Sequence, residues 1–181
     1  MIRTSICALI ALPFIGLVSC GKAAADKTDA AAQLEKNLAM YNSVWDTFLK
    51  EGDTSVVNSD NFTEDVVVVT DQGNLVGIDA CREFYQNYLD GFSEIEWTII
   101  DAFGQGDRLV KHWNFKGKHT GTFFGMPATN NYLDLSGTTI VTMRGGKIAK
   151  EHDFFDMKSL LDQLSVQSEE TVTIDESRPM N

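Results

Sequence analysis

The chain has 181 residues, with 26 acidic against 15 basic side chains and a formal net charge of −11. That length gives one domain with a sizeable core, and the 43% hydrophobic and 23% charged fractions belong to a globular chain. So large an excess of carboxylates argues against nucleic acid and anionic lipid headgroups as electrostatic partners, because both need basic patches.

The chain opens with a single cation, Arg3, followed by the apolar run ICALIALPFIGLV, too short to span a bilayer comfortably. This is the make-up of a secretory signal peptide over residues 1–19. It ends in Leu17-Val18-Ser19-Cys20-Gly21, which resembles the bacterial lipobox. That resemblance implies lipidation at Cys20 and attachment to a membrane of the bacterial cell envelope, on the periplasmic or outer-membrane face. Each buried CH₂ of such an anchor contributes about 0.8 kcal/mol. With Cys7 in the signal and Cys20 lipidated, Cys81 has no partner for an intrachain disulfide in the mature form. It reads as a small buried apolar residue.

Residues 20–32 are small and polar and read as a tether. A first helix is predicted from about 30 to 51. Leu34, Leu38, Tyr41, Trp45 and Phe48 form one apolar stripe on it, and Gly52 stops it. Asp65 to Thr70 is a β-branched strand bounded by the turn Asp71-Gln72-Gly73-Asn74. A second helix covers 78–89, with apolar positions 78, 81, 84, 85, 88 and 89, and Gly91 closes it. Four strand-like segments follow: Ile95 to Phe103, Arg108 to Lys116, Tyr132 to Arg144 and Lys147 to Phe155. The turn Arg144-Gly145-Gly146-Lys147 marks a hairpin. Short links predict antiparallel pairing of these strands. Met157 to Leu164 returns to helix. Residues 165–181 are polar and acidic and read as a disordered tail. Residues 33–164 therefore form one α+β domain, in which a curved antiparallel sheet wraps into a cone closed by the N-terminal helices.

Several strings in that domain resemble one family. They are Gly77-Ile78-Asp79-Ala80 through Phe84-Tyr85, and Gly106-Asp107-Arg108 through Trp113. Next comes Gly117-Lys118-His119-Thr120-Gly121 with Phe123-Phe124-Gly125-Met126-Pro127-Ala128-Thr129. Last is Gly146-Lys147-Ile148 with Asp156 and Leu160-Leu161 through Gln163-Leu164. Their order and spacing resemble the SnoaL-like polyketide cyclase and ester cyclase family of the nuclear-transport-factor-2-like superfamily. His152 stands where that family often has Trp, Lys118 where Thr is usual, and Asn130 where Gly is usual. The resemblance implies a cone with a cavity for a small, mostly apolar molecule, a homodimer through the sheet, no cofactor, and an aspartate as general acid/base. By position that aspartate is Asp156.

Two readings of Asp156 stand side by side. Phe154 and Phe155 beside it would raise its pKa toward the range of a proton-transfer group. As the residue before Met157 it would instead cap the last helix and accept backbone N–H bonds. His119 likewise either switches proton state at the cavity mouth or braces an irregular loop. Glycines 117, 121 and 125 in that loop allow close approach of backbone to a ligand. His152 shares strand parity with Asp156, and His112 is taken as inward-facing, so both are candidate ligand contacts. Tyr41, Trp45, Phe84, Tyr88 and Phe123 are candidate cavity walls. The three histidines lack His-x-His or His-x₃-His spacing, so no metal is expected. Two functions are open: acid/base chemistry of the cyclase, isomerase or hydrolase type on a small apolar molecule, or a non-catalytic binder or dimeric scaffold of the envelope. A cavity of about 300 Å³ or more with Asp156 at its floor would mark the first. A cavity plugged by rings, with Asp156 bonded to the helix, would mark the second.

Overall fold

The computed structural model of the chain describes residues 20–165, with side chains from residue 29 onward. The signal segment 1–19 and the tail beyond residue 165 lie outside the described residues. Three helices and six strands follow in order: α1 (Cys20–Glu51), β1 (Phe62–Thr70), β2 (Gly73–Val76), α2 (Ile78–Gly91), β3 (Phe92–Gln105), β4 (Arg108–His119), β5 (Tyr132–Arg144), β6 (Lys147–Phe155) and α3 (Met157–Leu164). β5, β6 and α3 have the predicted bounds. α1 starts at Cys20, about ten residues before its predicted start, so the segment read as a tether is helical. Its alanines favour helix and it contains neither glycine after Gly21 nor proline.

One sheet holds all six strands in the order β2-β1-β6-β5-β4-β3. The run from β3 to β6 is antiparallel throughout, across two-residue turns after β3 and β5 and the longer segment 120–131 after β4. β1 pairs with β6 in parallel, a long-range closure that local sequence does not announce. Curvature comes from bulges. β3 carries two irregularities against β4, between Ser93 and Glu96 and between Ile99 and Asp101, and Glu94 there has φ of 53°. β6 carries one at Ala149, where Thr142 pairs with Lys150 but Met143 pairs with Ile148. Each extra residue bends its strand and raises the local twist.

The core lies between the concave sheet face and the helices. α1 contributes Tyr41, Val44, Trp45, Phe48 and Leu49, and α2 contributes Cys81, Tyr85 and Tyr88. β4 alternates without a break, so Leu109, Lys111, Trp113, Phe115, Gly117 and His119 all point inward and are buried. Cys81 is free and buried, and burial raises its thiol pKa far from the reactive range.

Candidate active site

Across the inner face, three directly paired residues form one row: Lys111 on β4 faces Thr139 on β5, and Thr139 faces Asp153 on β6. Two strand spacings of about 4.8 Å separate the backbones of Lys111 and Asp153. The row beside it is Trp113, Gly137 and Phe155. Gly137 is required there. A Cβ on it would lie 2.3 Å from Cζ2 of Trp113, so only glycine lets the indole lie over β5.

The polar groups of the row are tied to the helices. The Trp113 indole N–H donates to the Thr139 hydroxyl at 2.9 Å, and that hydroxyl donates to one oxygen of Asp153. The Tyr85 hydroxyl donates to the other at 2.9 Å. Glu151, two residues before Asp153, is fully buried and accepts the Tyr41 hydroxyl at 2.9 Å on Oε2. Its Oε1 is buried without a hydrogen-bond partner. Burial raises the Glu151 carboxyl to about 8, with Lys111 opposing and Asp153 reinforcing that rise. Lys111 is 3% exposed, and its ammonium sits 4.8 Å from the ring centroids of Tyr41 and Trp45 and 4.9 Å from that of Trp97. Burial among these rings lowers its amine to about 8, against the opposing pull of Glu151 and Asp153. Among the described residues no carboxylate lies within 4.0 Å of its Nζ. A buried amine and a buried carboxyl group beside a half-buried carboxylate, with no direct ion pair, are costly to maintain. Such groups concentrate at functional sites.

Part of this network borders a cavity between the sheet and α1 and α2. Lys111, Thr139, Asp153 and the rings of Trp45, Tyr85, Tyr88, Trp97, Trp113 and Phe115 line it. Its volume is about 30 Å³, against the expected several hundred. That is the space of roughly one water molecule. The rings fill the rest of the cone.

The geometry corrects several sequence expectations. Asp156 is exposed and away from the cavity. Its carboxylate accepts the Ser159 N–H at 3.0 Å as the cap of α3, so the structural reading holds. His152 faces the outer side of the sheet, paired with Ile140, and its ring lies tilted against Phe154 with centroids 4.0 Å apart. The parity reading of His152 fails at a bulge. Ile148 points inward, and an unbroken alternation from it would carry His152 inward. The bulge at Ala149 shifts the count by one, so Glu151, Asp153 and Phe155 face in instead. His112 is exposed on the outer face, because β4 keeps Lys111 and Trp113 inside.

His119 is fully buried but does not line the cavity. Its Nδ1 accepts the Thr129 N–H at 3.3 Å and lies 3.1 Å from the Thr129 hydroxyl. Its backbone N–H donates to Asn131 at 2.9 Å and its carbonyl accepts from Asn130 at 2.9 Å. The ring packs on Phe92, and burial lowers its pKa. His119 therefore braces the 120–131 loop. Gly121 serves the same packing. A Cβ at Gly121 would lie 1.9 Å from the Asp90 carbonyl, so the close approach is to the end of α2, not to a ligand. Of the predicted walls, Trp45 and Tyr88 line the cavity, and Tyr41 lies behind it on Lys111 and Glu151. Phe123 packs on Tyr88 and Phe92, and half-buried Phe84 on Tyr85 and Phe124. Lys111, Glu151, Asp153, Thr139 and Tyr85 escaped sequence reasoning. One signal was legible: a lysine in phase with Leu109, Trp113 and Phe115.

The model of the SnoaL-like polyketide cyclases matches residues 38–164. The chain belongs to this family. No curated protein matches it. Among solved structures, a protein of Jannaschia sp. CCS1 described as a SnoaL-like polyketide cyclase is 19% identical, with a TM-score of 0.64 over 72% of this chain and 92% of its own. One from Silicibacter sp. TM1040, described as a polyketide cyclase, is 20% identical, with a TM-score of 0.64 over 73% of this chain and 97% of its own. A Catenulispora acidiphila protein with a ketosteroid isomerase-like fold, in complex with trimethylamine, is 17% identical, with a TM-score of 0.56 over 67% and 89%. At these identities the likeness establishes the fold. The SnoaL-like domain described above has the same plan, a curved sheet backed by helices.

Proposed function

We propose that this SnoaL-like domain binds a small, mostly apolar molecule bearing a carbonyl in its cone and moves a proton on it through Asp153, without a cofactor. The observation that carries this reading is the placement of Lys111 and Asp153 on one cavity, on either side of Thr139. Asp153 supplies a carboxylate whose two oxygens are fixed by Tyr85 and Thr139, which suits removal of a proton beside a carbonyl. The ring wall must shift for such a molecule to enter, because the cavity at rest holds about one water.

That small volume and the bond from Asp156 to α3 are the two marks set for the second reading, a non-catalytic binder or scaffold. The test is deuterium incorporation beside the carbonyl of small cyclic ketones such as 2-tetralone, followed by NMR in D₂O. The wild-type protein is expected to accelerate exchange over buffer, and Asp153→Asn to lose roughly 10²-fold or more of that acceleration. Exchange at the buffer rate with the wild-type protein would remove proton transfer by Asp153.

Lipid attachment at Cys20 and association of two copies belong to the same proposal. The first is supported by the sequence Leu17-Val18-Ser19-Cys20. The second is supported by an apolar stripe on the outer sheet face, where Phe103, Val110 and Ile140 pair across three strands and Phe154 is exposed nearby.

A further inference from the structure

We infer that the side-chain amine of Lys111 is a nucleophile that condenses with the carbonyl of a small aldehyde or ketone to form an imine inside the cone. This goes beyond proton transfer by Asp153 but rests on the same reading of the cavity as the place where a carbonyl compound is held.

Three observations converge on Lys111. It is buried yet borders the cavity. Its Nζ is ringed by Tyr41, Trp45 and Trp97, so its surroundings are apolar on three sides. Among the described residues no carboxylate stands within ion-pair distance to lock it as an ammonium. A lysine serving only to neutralise buried acid would sit in contact with that acid, as Lys116 does with Asp134 at 2.8 Å on the surface. Desolvation in an apolar pocket is one of the ways a lysine amine is made nucleophilic at neutral pH. The amine at about 8 is roughly one-tenth neutral at pH 7, against well under one-hundredth for an exposed lysine.

Condensation also needs a proton carrier. The amine lone pair attacks the carbonyl carbon, a C–N bond forms, and the C=O electron pair becomes a hydroxyl on taking up a proton. That hydroxyl leaves as water once a second proton reaches it, while the nitrogen lone pair closes the C=N bond. The amine has given up two protons in all, and the balance is amine plus carbonyl giving imine plus water. Glu151, behind the cavity lining and two residues from Asp153 on β6, is the proton carrier closest in character to this task. Burial holds its carboxyl protonated at neutral pH. No oxidant or reductant enters.

The experiment is reductive trapping. The full-length protein is treated at pH 7 with propanal and sodium cyanoborohydride, which reduces an imine to a stable secondary amine, and the modified lysines are mapped by mass spectrometry of peptides. Lys111 is expected to be propylated at least ten-fold faster than Lys116 and Lys150, and its rate to rise with a midpoint near pH 8. Labelling of Lys111 no faster than that of the surface lysines would overturn the inference. So would a Lys111 rate that climbs without a midpoint up to pH 10, as an ordinary lysine's does. Because wild-type protein is used, misfolding of a variant cannot produce either result. The two readings also fail separately. Trapping retained in Asp153→Asn while deuterium exchange is absent even in the wild-type protein removes proton transfer and keeps the imine. Exchange present in the wild-type protein without preferential trapping removes the imine and keeps Asp153.

Discussion

Glu151 and Lys111 are pulled in opposite senses by one cause, and the consequence is measurable. Burial disfavours the charged form of each, so the carboxyl rises from its ordinary 4.5 to about 8 and the amine falls from 10.5 to about 8. Between pH 4.5 and 8 the folded state keeps the Glu151 proton that the unfolded chain releases, so stability falls as pH rises through that window. Between pH 8 and 10.5 the folded state has released the Lys111 proton that the unfolded chain keeps, so stability recovers. The slope of either limb is at most about 1.4 kcal/mol per pH unit. Glu151→Gln removes the first limb. Urea unfolding at pH 5 and pH 8 is expected to show a smaller loss for the variant than for the wild-type protein. An equal loss in both would mean that Glu151 does not titrate in this range. Residue types alone could not have located this pair. A lysine and a glutamate forty residues apart in the chain are commonplace, and only their shared burial makes them unusual.

At the level of elements, the β4–β5 pair holds the site's shape through Gly137. The Trp113 ring occupies the space its missing side chain leaves, and from there reaches Thr139 and so Asp153. Gly137→Ala places a methyl group against that ring and against the Phe154 carbonyl, 2.8 Å from the ideal Cβ. The variant is expected to lose about 1–3 kcal/mol by overpacking. Its near-ultraviolet circular dichroism is expected to change as the indole is displaced, while its far-ultraviolet spectrum is kept. Unchanged stability and tryptophan signals would show that the ring has another place to go. Most elements were legible, but β2, whose first residues were read as a turn, and the early start of α1 were not. The apolar stripe from Leu34 to Phe48 and the Gly145-Gly146 turn act locally, and each appears where its residues put it. The facing of β6 was not legible. One bulged residue, Ala149, reverses which side chains point inward, and an alanine carries no mark of it.

For the whole molecule, the question is how the cone is held and in how many copies. Cys20→Ser is expected to move the protein from the membrane to the soluble fraction on cell fractionation, and light scattering of the released chain is expected to give the mass of two copies. Retention of the variant in the membrane would sink lipid attachment, and a single-copy mass would sink the pairing. Among the described residues no helix is long and apolar enough to cross a membrane. The sequence by itself determined the bounds of α3, the apolar stripe of α1, the antiparallel succession from β3 to β6 and the family. These depend on neighbours along the chain, through periodicity, turn chemistry and local hydrogen bonds. Tertiary structure alone decided the parallel closure of β1 on β6, the phase of β6 beyond its bulge, and a cone filled by rings to about 30 Å³. It also decided the row Lys111–Thr139–Asp153. Register and free volume are sums over side chains brought together from distant segments, so no local stretch of sequence contains them.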